Sequence, residues 1–280
     1  VYLKAQGTAE APIVFTSASS SPERGDWLTI YLGNGAAASV LTHCTIKYGG
    51  GGGSEAALTV SGVNNKPTLQ NCKIESSAGY GIRMAEHASF KVFTDNLVKG
   101  SGKNPMRIGA NEVGSLGGGN TFEGNDQEVL YVEGEKLTQS ATWRNFGIPY
   151  RIQDALEIEG SDALAVLKLE AGSTLEFGPS ASLWLGYNGQ GALYAVGEAS
   201  KPITLTGVGD QAGSWAGITM NGGTKAGVEG DETSTVLQHV VIAYGCTAEN
   251  AMLYLDNAKP ILKNVTFRNG VPMKHAVKGR

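Results

Sequence analysis

The run Val40-Leu41-Thr42-His43-Cys44-Thr45-Ile46-Lys47-Tyr48-Gly49 returns later in the chain as Val236-Leu237-Gln238-His239-Val240-Val241-Ile242-Ala243-Tyr244-Gly245. Three more blocks repeat in the same order. Gly7 to Thr16, with Pro12-Ile13 at its centre, matches Gly197 to Thr206, with Pro202-Ile203. Gly25-Asp26-Trp27 and Ile30 match Gly213-Ser214-Trp215 and Ile218. Lys66-Pro67 through Asn71 matches Lys259-Pro260 through Asn264. The offsets are about 190, 188, 196 and 193 residues. Ordered blocks at a nearly constant offset mark an internal duplication and a repeat architecture.

A shorter period lies inside each copy. Leu41-Thr42-His43-Cys44-Thr45-Ile46 and Leu69-Gln70-Asn71-Cys72-Lys73-Ile74 share one template: Leu, any residue, Asn or His, a small apolar residue, any residue, Ile. It returns at Leu237 to Ile242 and Leu262 to Phe267, and more loosely at Asn96 and Asn120. The polar anchors His43, Asn71, Asn96 and Asn120, then His239 and Asn264, are separated by 28, 25 and 24 residues in the first copy and 25 in the second. Such steps lie in the solenoid range. Between anchors the sequence reads as short strands, such as Ile13 to Thr16, Ala57 to Val60 and Leu164 to Leu169, bounded by Gly, Asn, Ser and Pro. No run of helical period stands out. The fold expected is all-β: a right-handed parallel β-helix with coils of about 25 residues and few or no helices, about eleven coils in all. The six anchors are expected to form a ladder of stacked side chains. The internal repeat divides the chain into a first copy, 1–135, and a second, 136–280, and one continuous solenoid is expected.

Glycine is 40 of 280 residues, about twice its usual share, without the Gly-X-Y period of collagen. Net charge is −4, and no basic stretch argues for nucleic acid. No transmembrane segment or signal peptide is visible. Val1 to Ala5 aligns with Gly191 to Ala195, so the chain begins inside a repeat and a longer parent protein or assembly is expected. Cys44 and Cys72 share one template position and read as buried free thiols, since neighbouring parallel strands rarely meet disulfide geometry. Cys246 falls in a turn, and no cysteine pair has zinc-site spacing.

With the blocks Gly-x-x-x-x-Pro-Ile from Gly7, Gly25-Asp26-Trp27 and Leu41 to Gly49 in place, the chain resembles the bacterial right-handed parallel β-helix repeat proteins of the pectin-lyase-like superfamily. The resemblance covers nearly the whole chain and implies a secreted or cell-surface protein. It also invites polysaccharide cleavage, yet the Asn-Thr-Asp, Asp-Asp and Gly-His-Gly signatures of the superfamily's glycosidases are missing, and fold alone does not assign chemistry. Glu157 and Glu159 form a candidate carboxylate pair, read as a solvated strand face. Asp126 with Glu128, and Glu229 with Asp231 and Glu232, could hold Ca²⁺. No other cofactor and no metal site is expected.

The stronger surface signal is a stack. Aligning Ile82-Arg83, Met106-Arg107 and Leu130-Tyr131 puts Ile82, Met106 and Leu130 in an inward column and Arg83, Arg107 and Tyr131 in an outward one. Met273-Lys274 repeats the pattern in the second copy. Guanidinium forks beside an aromatic face suit acidic or stacked sugars. Trp143 and Trp184 are not duplicated and read as core or as sugar platforms. The leading expectation is a non-catalytic extracellular scaffold that binds a polysaccharide or a surface protein. A polysaccharide lyase or glycoside hydrolase, and a spacer or assembly subunit of a surface filament or matrix, are the alternatives.

Overall fold

A computed structural model describes residues 1–246, 251–270 and 277–279. They form two compact units, Val1–Tyr131 and Val132–Arg280. Both are parallel β-solenoids, with about nine turns over the two together and a spacing near 26 residues. That is fewer turns than length divided by period predicts, because the segments 16–29, 208–217 and 221–235 consume residues without adding a coil. Among the described residues the only helical element is a single 3-10 turn at Val113–Ser115, and none is long and apolar enough to cross a membrane.

Each coil of the first unit visits three faces. The first face stacks Lys4–Gln6, Val40–Thr42, Thr68–Gln70 and Val92–Thr94. The second stacks Ile13–Phe15, Cys44–Lys47, Lys73–Glu75, Leu97–Lys99 and Thr121–Glu123. The third stacks Ile30–Leu32, Ala56–Ser61, Tyr80–Ala85 and Met106–Gly109. Inward positions form columns of apolar side chains. Leu41 lies beside Leu69 and Leu69 beside Phe93, and all three are at most 1% exposed. Full burial of one such side chain contributes about 1.5–3 kcal/mol.

The second unit has the same plan. Ala165–Leu169 pairs with Gly191–Val196, which pairs with the first half of Val236–Ala243. Thr174–Phe177 pairs with Ile203–Gly207, which pairs with the second half of that strand. A third sheet stacks Lys136–Leu137, Leu156–Ile158, Leu183–Leu185, Ile218–Met220, Leu253–Leu255 and Val277–Gly279.

The duplication reaches atomic detail. The Trp27 indole N–H donates to the Lys47 carbonyl at 2.9 Å, and the Trp215 indole N–H donates to the Ala243 carbonyl at 2.8 Å. Gly49 and Gly245 follow from this: a Cβ on either would stand about 3 Å from the indole, at 3.1 and 3.0 Å respectively. Trp27 and Trp215 are therefore structural residues.

The corner between the first two faces explains the repeated Asn and His. His43, Asn71 and Asp95 have φ of 47°, 52° and 57°, and His239 and Asn264 both have 50°. The chain turns there through the left-handed region, which Asn, Asp and His tolerate better than most residues. The register splits the expected single ladder into two columns. His43, Asn71 and Asp95 occupy the bend itself, as do His239 and Asn264, whose side chains approach to 3.3 Å. Asn96 and Asn120 sit one residue later, in the inward column of Cys44 and Cys72. The template matches this placement when Phe93-Thr94-Asp95-Asn96-Leu97-Val98 is aligned with it, so that Asp95 is the anchor.

The inward column caps the corner. The backbone N–H of Asn96 donates to Asn120 Oδ1 at 3.0 Å, and that of Cys72 donates to Asn96 Oδ1 at 2.9 Å. The Cys44 N–H reaches Cys72 Sγ at 3.4 Å. Each amide also donates to a first-face carbonyl: Asn120 Nδ2 to Phe93 O at 3.0 Å and Asn96 Nδ2 to Leu69 O at 3.1 Å. The Cys72 thiol makes the equivalent contact to Leu41 O at 3.4 Å. The two cysteines are thus buried free thiols in asparagine slots. Burial pushes the Cys72 thiol up to about 12.

Asn96→Ala should leave the buried Cys72 N–H and Leu69 C=O unpaired, at about 1–3 kcal/mol for each orphaned group. We expect a loss of about 3 kcal/mol in urea unfolding. Cys72→Asn should extend the ladder and raise the unfolding midpoint. A neutral Asn96→Ala would show that the corner does not depend on this column.

Candidate functional site

The third face of the first unit presents one outward residue near the middle of each strand. Along the register, Tyr31 neighbours Thr59, Thr59 neighbours Arg83 and Arg83 neighbours Arg107. The flanking Leu58, Ile82 and Met106 are fully buried, which turns this column outward. Thr59 is short and nearly covered, with its hydroxyl 3.4 Å from that of Thr29. The long side chains at 83 and 107 therefore dominate the surface.

Arg107 is the centre of the group. Its guanidinium carbon lies 5.7 Å from the Tyr131 ring centroid and 6.0 Å from that of Tyr80. The two rings are 6.3 Å apart at 53°. Lys103 Nζ lies 5.1 Å from the Tyr80 centroid. These distances are in the range of cation–π attraction. Glu55 neutralises part of the charge. Its Oε2 is 2.8 Å from Arg83 Nε and 3.8 Å from Arg107. The Arg83 contact lacks hydrogen-bond alignment and is an ion pair only. Arg83 and Arg107 thus share the Glu55 carboxylate, and Lys103 adds a third cation on the Tyr80 side of the group. Sequence reading found Arg83, Arg107 and Tyr131, but not Glu55, Tyr80 or Lys103. Glu55 and Lys103 precede their strands, where alternation gives no orientation. Lys274, the second-copy counterpart, lies outside the described residues.

The acidic candidates turn to other partners. Glu157 is outward, and Lys136 Nζ lies 3.3 Å from its carboxylate. Glu159 departs from the solvated-face reading: it is 5% exposed, takes the backbone N–H of Asn188 at 2.7 Å, and pairs with the same Lys136. Burial alone would raise its pKa, but the Asn188 N–H, Lys136 and the Gly189 N–H together outweigh burial and lower it. A carboxyl held ionised in this way is unsuited to general-acid duty. Asp126 receives both of its contacts from Arg24, at 3.1 and 3.2 Å. Glu128 accepts from the Asn125 N–H. Glu229 pairs with Lys263, Glu232 with Lys168, and Asp231 takes the N–H and hydroxyl of Thr233. A Ca²⁺ ion at either cluster would have to displace these groups.

Trp143 is fully buried beside Tyr150, with ring centroids 5.0 Å apart. Trp184 is outward and half-buried. No family model, curated protein or solved structure matches the chain.

Because the Glu159 pKa is lowered on folding, its contribution to stability is present above the ordinary glutamate range, about pH 4.3, and is lost as pH falls below it. Thermal melts from pH 3 to 7 should therefore show Glu159→Gln less stable than wild type at neutral pH, with the gap closing in acid. Parallel curves would sink this assignment.

Proposed function

We propose that this chain is a non-catalytic, extracellular β-helix scaffold of the pectin-lyase-like kind, and that Arg83, Arg107 and Tyr131 bind acidic glycans. The observation that carries the reading is the Arg107 guanidinium set between the Tyr80 and Tyr131 rings, one strand from Arg83. Arginine forks accept carboxylate or sulfate oxygens, and a tyrosine face takes the apolar face of a sugar ring. Neighbouring strands are about 4.8 Å apart, so the two guanidinium groups can meet successive acidic groups on one extended chain. Glu55 occupies part of the fork in the unliganded protein and competes with the ligand. Extracellular placement rests on the family resemblance. The non-catalytic reading is supported by Glu159, which the Asn188 N–H and Lys136 hold ionised against its burial and so unsuited to act as the acid of a carboxylate pair.

Native electrophoresis through gels containing alginate or dextran tests the proposal. Wild type should be retarded by alginate and not by dextran. Arg83→Ala with Arg107→Ala should weaken retardation at least about tenfold without lowering the melting temperature. Glu55→Gln should strengthen it by about threefold, the scale of an exposed ion pair. Unaltered retardation of the double variant would remove the stripe from the reading. A cleared track behind the band would make the chain a depolymerase.

A further inference from the structure

A second outward column lies on the third sheet of the second unit. Lys136 neighbours Glu157, Glu157 neighbours Trp184, Trp184 neighbours Thr219, Thr219 neighbours Tyr254, and Tyr254 neighbours Lys278. The residues on either side of Trp184 and Thr219, namely Leu183, Leu185, Ile218 and Met220, are fully buried, so the column between them points to solvent. Its middle is uncharged and holds two aromatic rings with a threonine between them. Its charges lie at the ends, where Glu157 is already paired with Lys136 at 3.3 Å and Lys278 Nζ lies 5.9 Å from the Tyr254 centroid. Beside the column, Tyr187 is 59% exposed and stands edge-on to Trp184, with centroids 5.4 Å apart at 70°.

We propose that this face binds an extended, neutral β-1,4-linked hexose chain lying along the column, with Trp184 and Tyr254 each stacked on a sugar ring. The spacing selects the ligand. Trp184 and Tyr254 are two strands apart, which is about 9.6 Å at the ordinary strand separation. An extended β-1,4-linked hexose chain repeats every two sugars over a closely similar length, so alternate sugars present the same face to the two rings. The intervening sugar passes over Thr219, whose short side chain leaves room and whose hydroxyl can bond a sugar hydroxyl. Aromatic rings held by a rigid sheet lose little freedom on stacking, which favours such a platform. A β-1,3-linked chain winds and does not repeat along a straight column at this distance. The uncharged centre separates this ligand class from the acidic one proposed for the first unit, and neither site depends on the other.

Tryptophan fluorescence titration with cellohexaose, cellobiose and laminarihexaose tests the proposal. Cellohexaose should change the emission, because Trp184 is the half-exposed indole of this unit whereas Trp143 and Trp215 are buried. Cellobiose is too short to reach both rings and should bind at least about tenfold more weakly, as should laminarihexaose. Trp184→Ala should abolish the signal, and Tyr254→Ala should weaken binding at least about tenfold while leaving Trp184 as reporter. Trp184→Phe, which keeps a ring, should retain binding by calorimetry if the alanine variant folds poorly. The Arg83 and Arg107 double variant should bind cellohexaose as wild type does. No response to cellohexaose, equal affinity for cellobiose, or an unaffected Tyr254→Ala would each overturn the proposal.

Discussion

Every coil must turn a corner after its first strand, and the structure depends on how that corner is satisfied. The backbone bends through positive φ at His43, Asn71, Asp95, His239 and Asn264. In the first unit, the amide immediately after the bend points inward, away from water, and needs an acceptor. The next coil supplies it from Cys72, Asn96 or Asn120. The bend thus constrains two positions at once. The first takes a residue that tolerates the left-handed region, and the second takes a small side chain able to accept a hydrogen bond.

This arrangement also orders the surface. Once the corner fixes the register, the inward columns along the strands away from the corner are apolar and the outward columns are a free choice. A short strand offers only one or two outward residues, so function is written along the stack of coils rather than along the chain. The Arg83 and Arg107 column and the Trp184, Thr219 and Tyr254 column are both of this kind. Neighbours within these columns are far apart in sequence: Arg107 follows Arg83 by 24 residues, and Thr219 follows Trp184 by 35. A rigid platform with a fixed strand separation suits extended polymers, whose groups recur at regular distances.

The acidic residues behave differently. Asp126 is held by Arg24, Glu229 by Lys263 and Glu159 by Lys136. They stitch loops to neighbouring coils. For Glu159 the effect is clearest, because its burial would be unfavourable without the Asn188 N–H and Lys136. Such residues look like a catalytic or metal-binding reserve in sequence because proximity along the chain suggests convergence. In three dimensions each points to a cation from another part of its unit.

The sequence by itself determined the all-β class, the parallel solenoid, the duplication and the outward placement of Arg83, Arg107 and Tyr131. Those follow from local steric preference and the two-residue alternation of strands, which repeat with the coil and so leave a periodic trace. It did not separate His43 and Asn71 from Asn96 and Asn120, because asparagine suits both the left-handed bend and the inward cap, and only the pairing of Asn96 with Cys72 shows which role it plays. Tertiary structure alone brought Glu55, Tyr80 and Lys103 to Arg107, buried Glu159, and set Trp184 and Tyr254 in one column. Those depend on loop paths and on coils of unequal length, and a loop that varies from coil to coil leaves no period in the sequence to read.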